Sequence, residues 1–343
     1  MKIKGKGSYI CFLIFVLSLA LLGLSRASER FSKAINESIC QKIRGVLASI
    51  NSVFSFSIFE ILVLLSPVLI FIAVRFVLSN NEKMKARFVS ALGFISLFAS
   101  LYILTLGISY DYPSPFLRYS GAVDGDKLCR AANILCDIVN EESKSASENP
   151  SFDFISQEVN EVYKKNSSAY FRKATRLPSP KPLISSRLVN YTGILALYSY
   201  PTGEININTA VPTYTLGFTI AHEYAHAVGF SSESDASFLA FVLAFESDFP
   251  TFRDSVFLSV LDNMLSDIKS FSKEEYYAVV SRLCERAKLD ITSYRTYLKK
   301  YGPSYIYKAF DTLNSEHLDV WDKNKRHSYL AVSRYVTNYL NSA

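Results

Sequence analysis

Histidine is scarce in this chain. Only four occur among its 343 residues, so any imidazole-based metal chemistry must pass through very few positions. Cysteine is nearly as sparse. The five thiols (Cys11, Cys40, Cys129, Cys136 and Cys284) contain no C-x-x-C pair, so zinc-ribbon spacing is missing, and their scattered positions show no disulfide framework. Cys129 and Cys136 are seven apart in a helical pattern, too far along an axis to bridge. The net charge of +6 is spread along the chain, with no basic stripe of the kind nucleic-acid binding needs. Charge itself is missing from much of the first third.

What stands there instead is long apolar runs. Tyr9–Ser25 and Phe88–Ser109 carry no charged residue, and Ile58–Leu78 carries only Glu60 and Arg75, with Pro67 in its middle. Each approaches the length that crosses a bilayer. The sequence therefore predicts a membrane anchor over residues 1–110, with transmembrane helices at about 9–25, 58–78 and 88–109. Lys2, Lys4 and Lys6 precede the first run, as they would in a cleaved signal peptide, and the stretch after it offers Ala27 as a small residue; an uncleaved anchor is the expectation preferred over cleavage. The N-terminal lysines and the short Lys83, Lys85, Arg87 loop fall on one side of the membrane if all three runs span. Their density assigns that side to the cytoplasm. Parity then makes the protein multi-pass in the cell membrane with residues 111–343 extracytoplasmic. The loop between the first two runs opposes this reading, since it also holds Arg26, Arg30, Lys33, Lys42 and Arg44.

Residues 111–343 read as one globular unit, mostly α with a small β element. Amphipathic helices are expected over Lys127–Val139 and Phe152–Tyr170, and a loop over Leu177–Pro182. Strands are expected at Ile194–Tyr200 and Glu204–Asn208, joined by a Pro201-Thr202-Gly203 turn. From Thr213 the pattern is helical, with breaks near Pro250, Ser270, Asp290 and Gly302-Pro303. Alternation in Glu204–Asn208 puts its polar side chains on one face, which could meet a peptide added as a strand to a sheet edge.

Two of the four histidines fall in His222-Glu223-Tyr224-Ala225-His226, an HExxH pattern. Residues four apart share one helix face, so both imidazoles can reach one metal ion, with Glu223 beside the open position as general base. The surrounding Thr215–Val228 lacks proline and carries its only charge at Glu223, so the polar groups of an otherwise apolar helix need a partner such as a metal. Gly229 suits the helix terminus. Ser232 and Asp235 have the spacing of a helix start, which puts Glu233 in the first turn of the next helix as third ligand. Asp235 is the alternative carboxylate. Glu233 is preferred because Ser237 falls four residues later on its face, where a hydroxyl can orient a ligand histidine. The longer pattern with a third histidine fails at Ser232.

These motifs, together with Lys181-Pro182-Leu183, Tyr191-Thr192-Gly193-Ile194, Pro201–Asn208, Gly229-Phe230 and Glu233–Phe238, resemble an uncharacterised bacterial family, domain of unknown function 3810. The resemblance covers nearly the whole chain and is strongest over Lys181–Phe245. The chain departs from the family's pattern at Asp235 and Ser237, where Glu and Asn are usual. The resemblance implies three membrane helices followed by a zincin-like, gluzincin-type metallopeptidase domain.

The chemistry expected is hydrolysis of a peptide or protein substrate. Zn2+ would be held by His222, His226 and Glu233, with Glu223 taking a proton from the attacking water and returning one to the leaving amine. His317, His327 and nearby tyrosines are candidates for the donor to the oxyanion. An intramembrane protease is disfavoured by the serines flanking HEYAH and by Glu246 and Asp248. A zinc-stabilised scaffold or pseudoenzyme is the rival from another class. Glu223 argues against it, because a structural zinc needs no base and is usually closed by four protein ligands.

Overall fold

The computed structural model describes residues 6–79, 83–166, 176–321 and 329–342. Lys2, Lys4, Tyr170 and His327 lie outside them. The protein is mostly helical with a small mixed sheet, and it divides into two compact units.

The first unit runs to Pro113 and includes the turn Ser199–Glu204. It contains α1 (Lys6–Ala27), α2 (Glu29–Ile35), α3 (Gln41–Asn51), α4 (Ile58–Leu78) and α5 (Met84–Thr105). Among the described residues, three of its helical stretches are long and apolar enough to cross a membrane: 7–27, 58–78 and 84–111. None of the apolar window of α4 is covered by protein, so its Leu, Ile, Val and Phe side chains demand an apolar solvent. α1 packs along α5, and the approach is close at Gly93, where a Cβ would come 3.1 Å from Ser8 Cα. The third run starts at Met84 rather than Phe88 because the charged Arg87 is accommodated in the first turn. There it donates to the Phe76 carbonyl (2.8 Å) and to Ser79 at the end of α4.

The segment between the first two runs reads as a loop in sequence but is helical. Arg44, counted there among the charges that oppose the orientation, is buried. It donates to the Thr105 carbonyl (3.0 Å) and Ser109 Oγ (2.9 Å) at the end of α5, and to Asn36 Oδ1 (2.7 Å). Those groups supply acceptors for its two terminal nitrogens. Glu204 is also buried, and its carboxylate accepts from the Ile58 and Phe59 N–H groups at 2.9 and 2.8 Å. It thus satisfies two orphan donors at the start of α4, where the helix dipole favours an anion.

The second unit holds α6 (Gly125–Ser145), α7 (Phe152–Lys165), α8 (Ser186–Val189), α9 (Thr215–Val228) and α10 (Glu233–Phe245). Next come α11 (Pro250–Phe271), α12 (Lys273–Arg282), α13 (Glu285–Tyr301), α14 (Tyr305–Trp321) and α15 (Tyr329–Ser342). Its core is the α6–α11 pair with α9, α10 and α15 packed on it. Phe238, Leu239, Phe241 and Leu243 of α10 are all fully buried. At about 1.5–3 kcal/mol each, they anchor that helix firmly. The break expected near Asp290 is absent: α13 runs through it, and the chain turns at Leu283-Cys284 instead.

The sheet corrects two expectations. β1 (Pro180–Pro182), read from sequence as loop, pairs parallel with β3 (Glu204–Ile207), and β2 (Ala196–Ser199) flanks β3 on its other side. Prolines at both ends of β1 are tolerated because it is an edge strand. β3 is therefore central, with both sides paired, and cannot accept an added strand. Its polar side chains are buried and engaged: Glu204 on α4, Asn206 Nδ2 toward the Leu197 carbonyl (3.5 Å), and Asn208 Nδ2 on Asn190 Oδ1 (2.8 Å). Of the two readings open for this face, a substrate surface or an ordinary hairpin strand, its engaged side chains favour the second.

Candidate metal centre

The centre grows from α9. Its start has no side-chain cap, but α7 and α11 hold its body. Tyr163 of α7 donates its hydroxyl to the Ala221 carbonyl and stacks on Tyr224 with ring centroids 4.9 Å apart. Ser255 of α11 accepts from the Phe218 N–H at 3.0 Å. Gly229 ends the helix in the left-handed conformation (φ 112°), and the Gly229 and Phe230 N–H groups return to the last-turn carbonyls of His226 and Ala225. The chain then doubles back, so that α9 and α10 meet at 117°. By length and composition this bent pair could be a broken membrane span, but nearly all its side chains are buried inside the second unit.

That bend brings Glu233 over the histidine face. His222 Nε2 lies 3.0 Å from Glu233 Oε2 and 3.0 Å from His226 Nε2, and His226 Nε2 lies 3.5 Å from Glu233 Oε1. Among the described residues this is the group of His, Cys, Asp and Glu that could hold a metal ion. The second nitrogen of each ring is fixed from outside. His226 Nδ1 donates to the Phe230 carbonyl at 2.6 Å, and His222 Nδ1 sits 3.0 Å from Ser237 Oγ. Ser237 thus stands beside a histidine as its spacing suggested.

The donor set fits a small divalent cation. A carbonyl can only accept, so His226 carries its proton on Nδ1 and, when neutral, turns the Nε2 lone pair inward. Two imidazoles and a carboxylate then converge at spacings close to the roughly 3.3 Å edge of a tetrahedron with ligand bonds near 2.0–2.1 Å. Without a cation such crowding needs a shared proton. Burial would lower the His226 pKa, but the Glu233 carboxylate outweighs it and raises it to about 9. Burial would raise Glu233, yet the His226 charge and hydrogen bonds from both histidines hold its carboxyl well below the usual range.

Asp235 is not part of the cluster. It is buried and accepts from Ser114 Oγ at 2.7 Å. The capping box expected from Ser232 and Asp235 does not form either. Ser232 has extended N-cap backbone but no side-chain cap bond, and its hydroxyl lies 3.0 Å from that of Ser234. The long-range partner at Ser114 outcompetes the local one.

Glu223 is buried, and burial pushes its pKa up, offset in part by the two histidines and by a hydrogen bond from the Tyr198 backbone N–H. Tyr198 lies in β2, an edge strand, and sequence reading passed over it because the contact comes from backbone. His317 of α14 is half-buried and feels the Glu233 charge, while burial lowers its own pKa. His327 falls outside the described residues. The Glu233 side chain retains 36% exposure, so the cluster opens to solvent.

A family described as proteins of unknown function, DUF3810, matches residues 36–335. The chain belongs to the DUF3810 family. No curated protein and no solved structure matches it. The matched span includes α4, α5, the sheet and both helices of the candidate centre.

Proposed function

We propose that this DUF3810 protein is a membrane-anchored zinc metallopeptidase with a zincin-like second unit. The observation that carries the reading is the convergence of His222 Nε2, His226 Nε2 and the Glu233 carboxylate, with the Glu223 carboxyl next to the first of them in the chain. Zinc held by those three groups would supply a Lewis acid that polarises the scissile carbonyl and acidifies the attacking water.

The remaining chemistry belongs to side chains. Glu223, held by the Tyr198 N–H, accepts the proton released as water adds to the carbonyl carbon, and its burial raises its basicity for that task. The same carboxyl then donates the proton to the leaving amine. Ser237 and the Phe230 carbonyl keep the ligand rings oriented. His317 of α14, the one of the two candidate imidazoles that lies among the described residues, is offered as donor to the developing oxyanion. A substrate strand would lie along β2, an edge strand among the described residues, rather than along β3, which is paired on both sides.

The proposal extends to topology. The basic loop around Lys83, Lys85 and Arg87 assigns that end of α4 and α5 to the cytoplasm. Two charges that opposed this assignment are engaged within the first unit: Arg44 is buried, and Arg26 lies 3.9 Å from Asp111. The second unit then works outside the cytoplasm.

The test is cleavage of a mixed peptide library by the zinc-loaded full-length protein beside Glu223→Gln. Cleavage by the parent that vanishes in the variant is the expected result. Absence of cleavage by both, with zinc bound to both, would overturn the peptidase reading.

A further inference from the structure

The second unit exposes a patch that the peptidase reading does not use. Ile184 and Leu188, on the turn and short helix after β1, are 81% and 69% exposed, and Tyr305 and Ile306, opening α14, are 90% and 53% exposed. The two segments are neighbours. α14 packs on residues 190–192, the Tyr191 and Tyr301 rings meet edge to face at 5.1 Å, and a Cβ on Gly193 would collide with the Tyr307 ring. Large apolar side chains at such exposure, drawn from two segments onto one surface, need a partner.

Charge says which partner. Neither 176–198 nor 299–310 contains a single Asp or Glu, whereas Arg187, Lys299 and Lys300 are exposed at the patch. The Tyr301 hydroxyl is hydrogen-bonded by Lys300 and Asn190, with Arg187 in electrostatic range, so the basic groups surround the same tyrosine. An open depression of 580 Å³ lies beside Arg187, lined by Leu183–Leu188, Thr209 and Ala210. Exposed Leu and Ile, exposed Tyr, and Arg and Lys are the side-chain classes that take up the acyl-chain, interface and phosphate levels of a bilayer boundary.

We infer that Ile184, Leu188, Tyr305 and Ile306, with Arg187 and Lys300, form a peripheral docking surface for an anionic lipid bilayer, separate from the spanning helices. An apolar protein partner would have no use for a rim in which Arg187, Lys299 and Lys300 outnumber the one acid within reach, Asp311 beside Tyr307. A membrane whose surface carries phosphate esters does.

The experiment uses the full-length protein in nanodiscs, with Cys11, Cys129 and Cys284 replaced by serine and the buried Cys40 and Cys136 left in place. Nitroxides are attached in turn at Leu188→Cys, Ile306→Cys and, as a control on another exposed surface, Leu289→Cys. In discs containing phosphatidylglycerol, the labels at 188 and 306 should collide more with oxygen than with a water-soluble nickel chelate, while the label at 289 shows the reverse. Adding Arg187→Glu and Lys300→Glu should return the first two labels to water. Three outcomes would overturn the inference. One is nickel accessibility at 188 and 306 equal to that at 289 in every disc. Another is dipolar broadening at those sites, which marks a second copy of the chain. The third is burial that appears only on adding peptide, which marks a substrate surface.

Discussion

Removing the carboxylate of Glu233 is the sharpest probe of the candidate centre, because two acidic side chains two residues apart have opposite surroundings. Glu233 touches both histidines, at 3.0 and 3.5 Å, whereas Asp235 faces Ser114. Loss of an outer hydrogen-bond partner typically costs a metal site about 10–100-fold in affinity. Ser237→Ala, which strips His222 Nδ1 of its neighbour, should therefore weaken zinc by about 10-fold. Glu233→Ala removes one of three protein ligands and should exceed the upper end, more than about 100-fold. Asp235→Ala should leave zinc affinity unchanged but cost about 1–2 kcal/mol of stability, since the buried Ser114 hydroxyl loses its acceptor. The assay is competition for zinc against a chromophoric chelator at neutral pH, with thermal unfolding measured in parallel on the same detergent-solubilised protein. Equal zinc affinity in Glu233→Ala and the parent, or a loss confined to Asp235→Ala, would refute the ligand assignment.

Two further perturbations test the scaffold. Gly229→Ala forces a side chain into a left-handed conformation and should cost about 1–2 kcal/mol, together with weaker zinc binding because the bend positions Glu233. Gly229→Asn should retain most of both properties, and an alanine variant as stable as the asparagine one would contradict this. Glu158, buried on α7 and accepting from the Phe252 N–H at the start of α11, has its pKa raised by burial from 4.5 to about 7. The folded state therefore holds this proton more tightly than the unfolded state does. Stability from that source is complete below pH about 4.5 and declines as pH rises through about 7. Glu158→Gln should remove the decline and be more stable than the parent by about 1–2 kcal/mol above pH 7, read from thermal unfolding across pH. A parent as pH-sensitive as its variant would contradict this.

What the chain determines locally was legible from its residues. The i, i+4 spacing of His222 and His226 needs only helical periodicity, and the helix end at Gly229 needs only backbone sterics. Apolar length alone marks the three candidate spans, because bilayer thickness sets a one-dimensional requirement. Glu233 could be preferred over Asp235 from sequence, but that one reaches the histidines and the other Ser114 is decided by the 117° bend and by a partner more than a hundred residues away. Sheet order was equally out of reach. Alternation in Glu204–Ile207 says that two faces exist, but not that a proline-flanked β1 pairs with its edge and makes it central, nor that both faces are buried. The Tyr198 N–H on Glu223 leaves no trace in residue identity, since every non-proline residue carries that donor. Arg44 counted as one more loop charge because composition cannot reveal that the carbonyl end of α5 would close around it. Sequence sets periodicity and hydropathy, which are properties of neighbours along the chain. Which polar groups finally face one another depends on residues far apart in sequence, and the tertiary structure alone decides it.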